Sequence, residues 1–154
     1  MLFRSMSVSE KKKKSLFVDG PITPAFIADS IAKHSSKTEI GAHQIFLGQI
    51  RKDQIDGKNV QAIEFSCYSE MADETYAIYR EEIFSKYKIT CMHVYHSLGR
   101  IEAGQINLFV FISARHRKDA IEACREMVEF IKTKIPVWGK EIFENDEYVW
   151  KINT

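Results

Sequence analysis

The sequence predicts a two-layer α+β fold on a mainly antiparallel sheet, ahead of a doubly wound parallel sheet. Three observations lead there. Strand-like and helix-like segments alternate, yet several neighbouring segments are joined only by short turns. One run, Ile106 to Ser113, is apolar enough to be a central strand. The chain has 154 residues, 45% of them apolar and 28% charged, which fits one ordinary globular domain with its own core.

The elements follow in order. Ser15–Asp19 reads as a short strand. Thr23-Pro24 starts a helix, with a hydroxyl N-cap and proline in the first turn. Ile27, Ala28 and Ile31 supply its apolar face. Glu39 to Ile50 is a strand with Gly41 and Gly48 inside it, and such glycines mark a bulge or a close approach. Arg51 to Lys58 is a polar loop with an Asp56-Gly57 turn, and Val60 to Tyr68 alternates as the antiparallel partner of the strand before it. Ser69 to Tyr87 is a helix with Met71, Thr75, Ile78, Tyr79 and Ile83 near one face. Ile89 to Tyr95 is a strand, followed by a turn punctuated by Gly99 and Gly104. After the central strand, His116 to Lys134 forms the last long helix, with Ala120, Ile121, Cys124, Met127, Val128 and Ile131 facing the core. Pro136 stops it. Val137–Phe143 and Tyr148–Ile152 close the fold as a pair of strands. Residues 15–154 form the domain, and the polar segment 1–14 reads as a disordered tail, with Met6 a possible second start.

Charge and composition exclude several functions. Lys plus Arg number 22 against 21 Asp plus Glu, a balance of +1, which argues against a dedicated nucleic-acid binder. A local basic pocket remains open. No apolar run approaches the ~20 residues of a membrane span. The basic stretch Lys11–Lys14 is not followed by a signal-peptide segment, so the expected location is cytoplasmic. Cys67, Cys91 and Cys124 are widely spaced and odd in number, and read as buried small hydrophobes rather than a zinc site or disulfide framework.

Three places carry candidate chemistry. Arg115-His116-Arg117-Lys118 stands at a helix N-terminus, where positive charge is unfavourable unless an anion sits among the residues. The other reading has them in solvent, with Asp119 as an offset. Lys132-Thr133-Lys134 is brought near Lys140 by the turn at Pro136. Converging ammonium groups in a partly buried pocket depress each other's pKa and suit acid–base work, although lysines at a helix C-terminus are also expected from the macrodipole alone. Arg51, just past a glycine-containing strand, has the geometry to clamp an oxyanion or simply to lie exposed. His34 reads as a surface residue and His96 as structural. No HExxH motif, P-loop, GxSxG elbow or GxGxxG fingerprint is present.

These places occur together and in order. Gly41-Ala42 with Phe46-Leu47-Gly48-Gln49-Ile50-Arg51, Tyr68 and Met71, His96-Ser97-Leu98-Gly99, and Ser113 through Ala123 each resemble a segment of the molybdopterin synthase large-subunit family. Lys132-Thr133-Lys134-Ile135-Pro136-Val137-Trp138-Gly139-Lys140-Glu141 resembles its lysine-rich proline–tryptophan signature, and Trp150 a late tryptophan. The resemblance implies an α/β hammerhead-type fold and a homodimer within a heterotetramer. It implies transfer of sulfur to cyclic pyranopterin monophosphate (precursor Z), making the dithiolene of molybdopterin. The sulfur comes as a C-terminal thiocarboxylate on a ubiquitin-like small subunit, and no cofactor or metal is needed. Carried onto this chain, Lys132 and Lys140 are the implied catalytic residues. Gln49, Arg51, His116, Arg117, Gly139 and Glu141 are the implied substrate-binding residues.

Two departures stand out. The family usually has lysine directly after the signature tryptophan, where this chain has Gly139. The expectation is that Gly139 permits a twist or bulge turning Lys140 into the pocket. Ser97 stands where the family often has arginine. Gly139 also motivates an alternative, a homologue that binds the ubiquitin-like partner without turnover. A third reading is a phosphate-ester enzyme using His116 and Arg117 alone.

Overall fold

A computed structural model describes residues 15–151. The tail over 1–14 and Ile152 of the closing strand lie outside the described residues. The elements are β1 (Phe17–Asp19), α1 (Pro24–Ala32), β2 (Ala42–Gln49), β3 (Gln54–Ile55), β4 (Lys58–Cys67), α2 (Ser69–Lys86), β5 (Ile89–Glu102), β6 (Ile106–Ala114), α3 (Arg117–Lys134), β7 (Val137–Phe143) and β8 (Tyr148–Trp150). The main strand order is β2-β6-β5-β4-β7-β8 and every neighbouring pair in it is antiparallel. Among the described residues only β1 pairs in parallel, against His96–Leu98 of β5. This is the mixed fold with a mainly antiparallel sheet that the sequence predicts.

β5 is longer than its apolar run suggests. It continues through Gly99, whose φ of +85° suits glycine, and its two halves pair differently. Ile89–His96 lies against β6, and Gly99–Glu102 lies against β4. The turn therefore comes later, at Ala103-Gly104.

β4 is not the partner of β2. It pairs with β5 and β7, while β2 runs beside β6. The chain between them crosses from one half of the sheet to the other through Ile50. That residue is buried, donates its N–H to Gln105 O at 3.0 Å, and accepts from Gly104 N at 2.8 Å. The Asp56-Gly57 turn closes a small β3–β4 hairpin inside the expected loop.

Gly41 and Gly48 do what strand glycines do. A side chain at Gly41 would run into the carbonyl oxygen of Arg115, and β2 shifts register between Gly48 and Gln49.

The main core lies between the sheet and the helix pair α2/α3. Met92, Val94, Leu108, Val110 and Ile112 face Ala72, Tyr76, Ile83, Ala123, Cys124, Met127, Phe130 and Ile131. The helix faces are thus rotated slightly from the sequence reading. Ala72, Tyr76, Tyr79 and Ile83 form the inward stripe of α2, and Tyr79 stacks on Phe130 with centroids 3.7 Å apart. Met71 and Ile78 lie outside it and are exposed. On α3, Ala123 and Phe130 take the place expected of Ile121, which is exposed. Small alanines marked the stripes and carried little weight in the pattern. Thr23 caps α1 through Oγ1, accepting from Phe26 N at 3.1 Å. α1 buries no residue fully: Ile27 is half-buried, while Ala28 and Ile31 are exposed. No helix among the described residues is long and apolar enough to cross a membrane.

The α3 assignment is testable by denaturant unfolding. Phe130→Ala should cost about 3–5 kcal/mol, whereas Ile121→Ala should stay within about 0.5 kcal/mol.

Candidate functional site

A cavity of about 370 Å³ opens where the two halves of the sheet meet the end of α3. Its size falls in the range of small-molecule sites. Its walls come from the β2 end (Phe46, Gln49, Ile50, Arg51), from β4 and β7 (Ile63, Phe65, Val137, Gly139), and from the last turns of α3 (Val128, Glu129, Ile131, Lys132). His96 and Asn107 form part of the wall, and Lys151 enters from beyond β8.

Lys132 is placed here by helical geometry. The buried positions of α3 end at Phe130 and Ile131, and Lys132 follows, half-buried, before Pro136 turns the chain. Its pKa is lowered, first by burial and then by the positive charges of Lys151 and Arg51. The helix C-terminus favours the ammonium and moderates that shift. Arg51 stands at the mouth, mostly exposed, with Nε and Nη2 at 3.2 and 3.3 Å from the two carboxylate oxygens of Asp53. It is held in place but open to an incoming anion.

His96, structural in the sequence reading, lines the cavity as well. It is buried between Phe17 and Phe65 in edge-on ring contacts. Its Nδ1 donates to Ser97 O at 2.7 Å, so the neutral ring keeps its lone pair on Nε2. Burial, aided by the charge of Lys132, pushes its pKa down to about 4 against the opposing effect of the Ser97 hydrogen bond. Neighbouring Ser97 is fully buried, and its hydroxyl has no hydrogen-bond partner among the described residues.

The other expected residues are distributed unevenly. Gln49 and Gly139 line the cavity with Arg51 and Lys132. Glu141 is buried and reaches the cavity only through Lys151, whose Nζ is 3.7 Å from its Oε1. Lys140 does not turn inward. β7 keeps regular register with β4 through Gly139, so Lys140 falls on the opposite face. There its Nζ lies 3.6 Å from Glu64 Oε1 and over the rings of Tyr148 and Trp150. His116 and Arg117 are exposed at the other end of α3. From Arg117 to Lys132 is 132 − 117 = 15 helical steps, about 22 Å.

One cluster with metal-donor chemistry lies on the opposite face of the sheet. His34 Nε2, His93 Nε2 and Cys91 Sγ lie within 4.8 Å of one another. The two Nε2 atoms are 3.1 Å apart, His34 Nδ1 is bonded to Ser30 O, and the Lys37 ammonium donates to Cys91 Sγ at 3.0 Å. That ammonium opposes a cation at the sulfur. His34, expected on the surface, is buried by these contacts. Cys91 and Cys124 are buried and Cys67 half-buried, all as free thiols; burial raises the pKa of Cys67, and that of Cys124 to about 11.

Comparison with known proteins fits this geometry. The MoaE protein family matches residues 21–134. The chain belongs to the MoaE family. The match includes Gln49, Arg51, His96 and Lys132 and ends before Pro136. Among MoaE relatives, the molybdopterin synthase catalytic subunit of Pyrococcus abyssi is 33% identical over 122 residues, covering 79% of this chain and 81% of that protein. The catalytic subunit of Oryza sativa subsp. japonica is 35% identical over 120 residues, covering 78% of this chain and 61% of its own length. A crystal structure of molybdopterin synthase from Staphylococcus aureus superposes with a TM-score of 0.77 at 28% identity, covering 90% of this chain and 96% of the other. The complex of subunits 1 and 2 of molybdopterin-converting factor from Helicobacter pylori has a chain with the same fold, with a TM-score of 0.74 at 20% identity. The MoaE assignment makes this a member of an enzyme family.

The depressed His96 pKa has a measurable consequence. The unfolded chain binds a proton near pH 6.5 that the folded chain refuses until about pH 4. Its contribution to stability is therefore present above pH 6.5 and lost as pH falls through that window. Urea unfolding should show an acid-side loss of about 2 kcal/mol between pH 7 and 5 attributable to His96. That loss should be absent in His96→Gln.

Proposed function

We propose that this chain is the large subunit of a molybdopterin synthase, and that the α3–β7 cavity is where sulfur is transferred. The observation that carries the reading is Lys132: an amine of lowered pKa, half-buried, in a cavity with other basic groups. The substrate is cyclic pyranopterin monophosphate. The sulfur donor is the thiocarboxylated C-terminus of a ubiquitin-like small subunit, whose tail enters the cavity. Attack of the thiocarboxylate sulfur on the pterin side chain with loss of its oxygen as water requires proton transfers. Addition of water to the carbonyl of the resulting thioester then generates an oxyanion, whose collapse leaves the sulfur on the pterin and a carboxylate on the small subunit. Lys132 acts as the general acid–base and stabilises that charge. Arg51 contributes to binding the phosphate. Gln49 and Gly139 shape the wall against which the pterin lies.

His116 and Arg117 join this scheme only through a second copy. They lie about 22 Å along the helix from Lys132. One substrate therefore meets both sets only if a homodimer brings the N-terminus of one α3 to the cavity of the other. A two-fold dimer with a small subunit on each large subunit gives the heterotetramer.

Two experiments test this. With thiocarboxylated small subunit and precursor Z, the wild type should form molybdopterin, followed by its fluorescent oxidation product. Lys132→Ala should lower the rate by about 10²–10⁴-fold. Complex formation without product from the wild type would replace the synthase reading with a binding module. Separately, mixing and re-equilibrating Lys132→Ala with His116→Ala/Arg117→Ala should restore about a quarter of wild-type activity. Half the dimers are then mixed, and each holds one intact site. No recovery in demonstrably mixed dimers would remove the shared site.

A further inference from the structure

We propose that Lys151 is the second ammonium of the cavity, brought in by the chain beyond β8 through the space that Gly139 leaves, and that it acts through Lys132. The charge pairing rests on the two lysines lining one cavity and on the register that sets Lys151 beside Gly139; its place in catalysis rests on the sulfur-transfer reading above.

The strand pairing puts Lys151 where it must be. β8 pairs with β7 in the register Lys140↔Trp150 and Glu141↔Val149. The chain continues in step, so that Lys151 N–H donates to Gly139 O at 2.8 Å. Lys151 thus stands beside Gly139, on the face opposite that of Lys140 and Trp150.

Gly139 is not needed for backbone conformation, because its φ is not in the left-handed region. Its lack of a side chain matters for space. A Cβ there would lie 3.6 Å from Lys151 Cβ, 3.1 Å from Ile63 Cγ2 and 3.4 Å from Phe65 Cε1. A long side chain at position 139 and the present path of Lys151 would compete for one channel. Glycine gives that channel to Lys151.

The ammonium is then held in place. Its Nζ lies 3.7 Å from Oε1 of Glu141, a buried carboxylate, and the Lys151 side chain is only 25% exposed. Lys132 is faced by Lys151 and Arg51 as cations, by Glu129 and Asp53 as acids, and by the neutral ring of His96. Of the two cations, Lys151 acts on it more strongly than Arg51. Lys151 is therefore a positioning residue of charge: it raises the fraction of Lys132 that is neutral and able to take a proton. Glu141 anchors it.

The test reads Lys132 directly in the full chain. The rate of acylation of Lys132 by an amine-reactive ester, located by peptide mass spectrometry, is followed against pH. Only the neutral amine reacts. Lys151→Met should move the Lys132 titration to higher pH and slow its labelling at pH 8 by at least about threefold. Lys151→Arg keeps the charge and should hold the wild-type midpoint. An unchanged midpoint in Lys151→Met, with native unfolding behaviour, would overturn the proposal. So would an equal shift in Lys151→Arg, which would mean packing rather than charge. The molybdopterin assay run alongside separates the two readings. A labelling shift in a protein that makes no product leaves the lysine pair standing and removes the synthase. Product formation in wild type and Lys151→Met alike at every pH, with unmoved labelling, does the reverse.

Discussion

Strand β5 spans 14 residues, about 46 Å if fully extended, and both halves of the sheet hang on it. Its first half gives β6 a partner, its second half gives β4 one, and β1 pairs across the join. The change of partner falls between His96 and Gly99, where φ is +85°. A flat continuous sheet would leave no recess there. The end of α3 packs against the first half and leaves a gap before the second. The cavity fills that gap. Its walls are thus drawn from elements far apart in sequence, each fixed by its own ladder of hydrogen bonds.

Burying a lysine costs free energy unless charge or dipole answers it. This site meets that cost unevenly. The carbonyl end of α3 faces Lys132 favourably, and Glu141 answers Lys151. No carboxylate forms an ion pair with Lys132 among the described residues, so its cationic form is the destabilised one. An amine in that condition is suited to exchanging protons. An amine locked to a carboxylate, such as Lys58 with Glu147 at 2.6 Å, is not.

Much of this was legible in the sequence, and the failures have physical causes. The helices, the central apolar strand, the Thr23 cap and the Pro136 stop are local signals, and the structure carries them out. Gln49, Arg51, Lys132 and Gly139 are brought together by the family resemblance, and they do share a cavity. Strand pairing was not legible, since β2 and β4 are neighbours in sequence and both alternate well enough to pair. In the sheet β6 and β5 stand between them, and the chain passes from one side to the other through the buried Ile50. Lys140 was misplaced because a bulge at Gly139 was expected where the ladder runs regularly. Lys151 was missed because its position depends on hairpin register. The signal existed: Asn145-Asp146 is a turn sequence, and Asp146 adopts φ +66°. Counting outward from that turn places Lys151 beside Gly139. His96 is buried and hydrogen-bonded as a structural residue would be, and it stands in the cavity wall as well.

The hairpin that carries Lys151 has a different character from the rest of the wall. β8 is three residues long, all of them exposed, and among the described residues no strand lies beyond it along the main order. Its opening requires no disruption of the main core, so it belongs to the segments expected to open at low free energy. Cleavage in the Asn145–Glu147 turn would free β8 while sparing that core. The result would be a folded chain with Lys132 in place and its neighbouring charge gone. Proteolytic nicking at one exposed turn would then act as a selective lesion of the basic cavity.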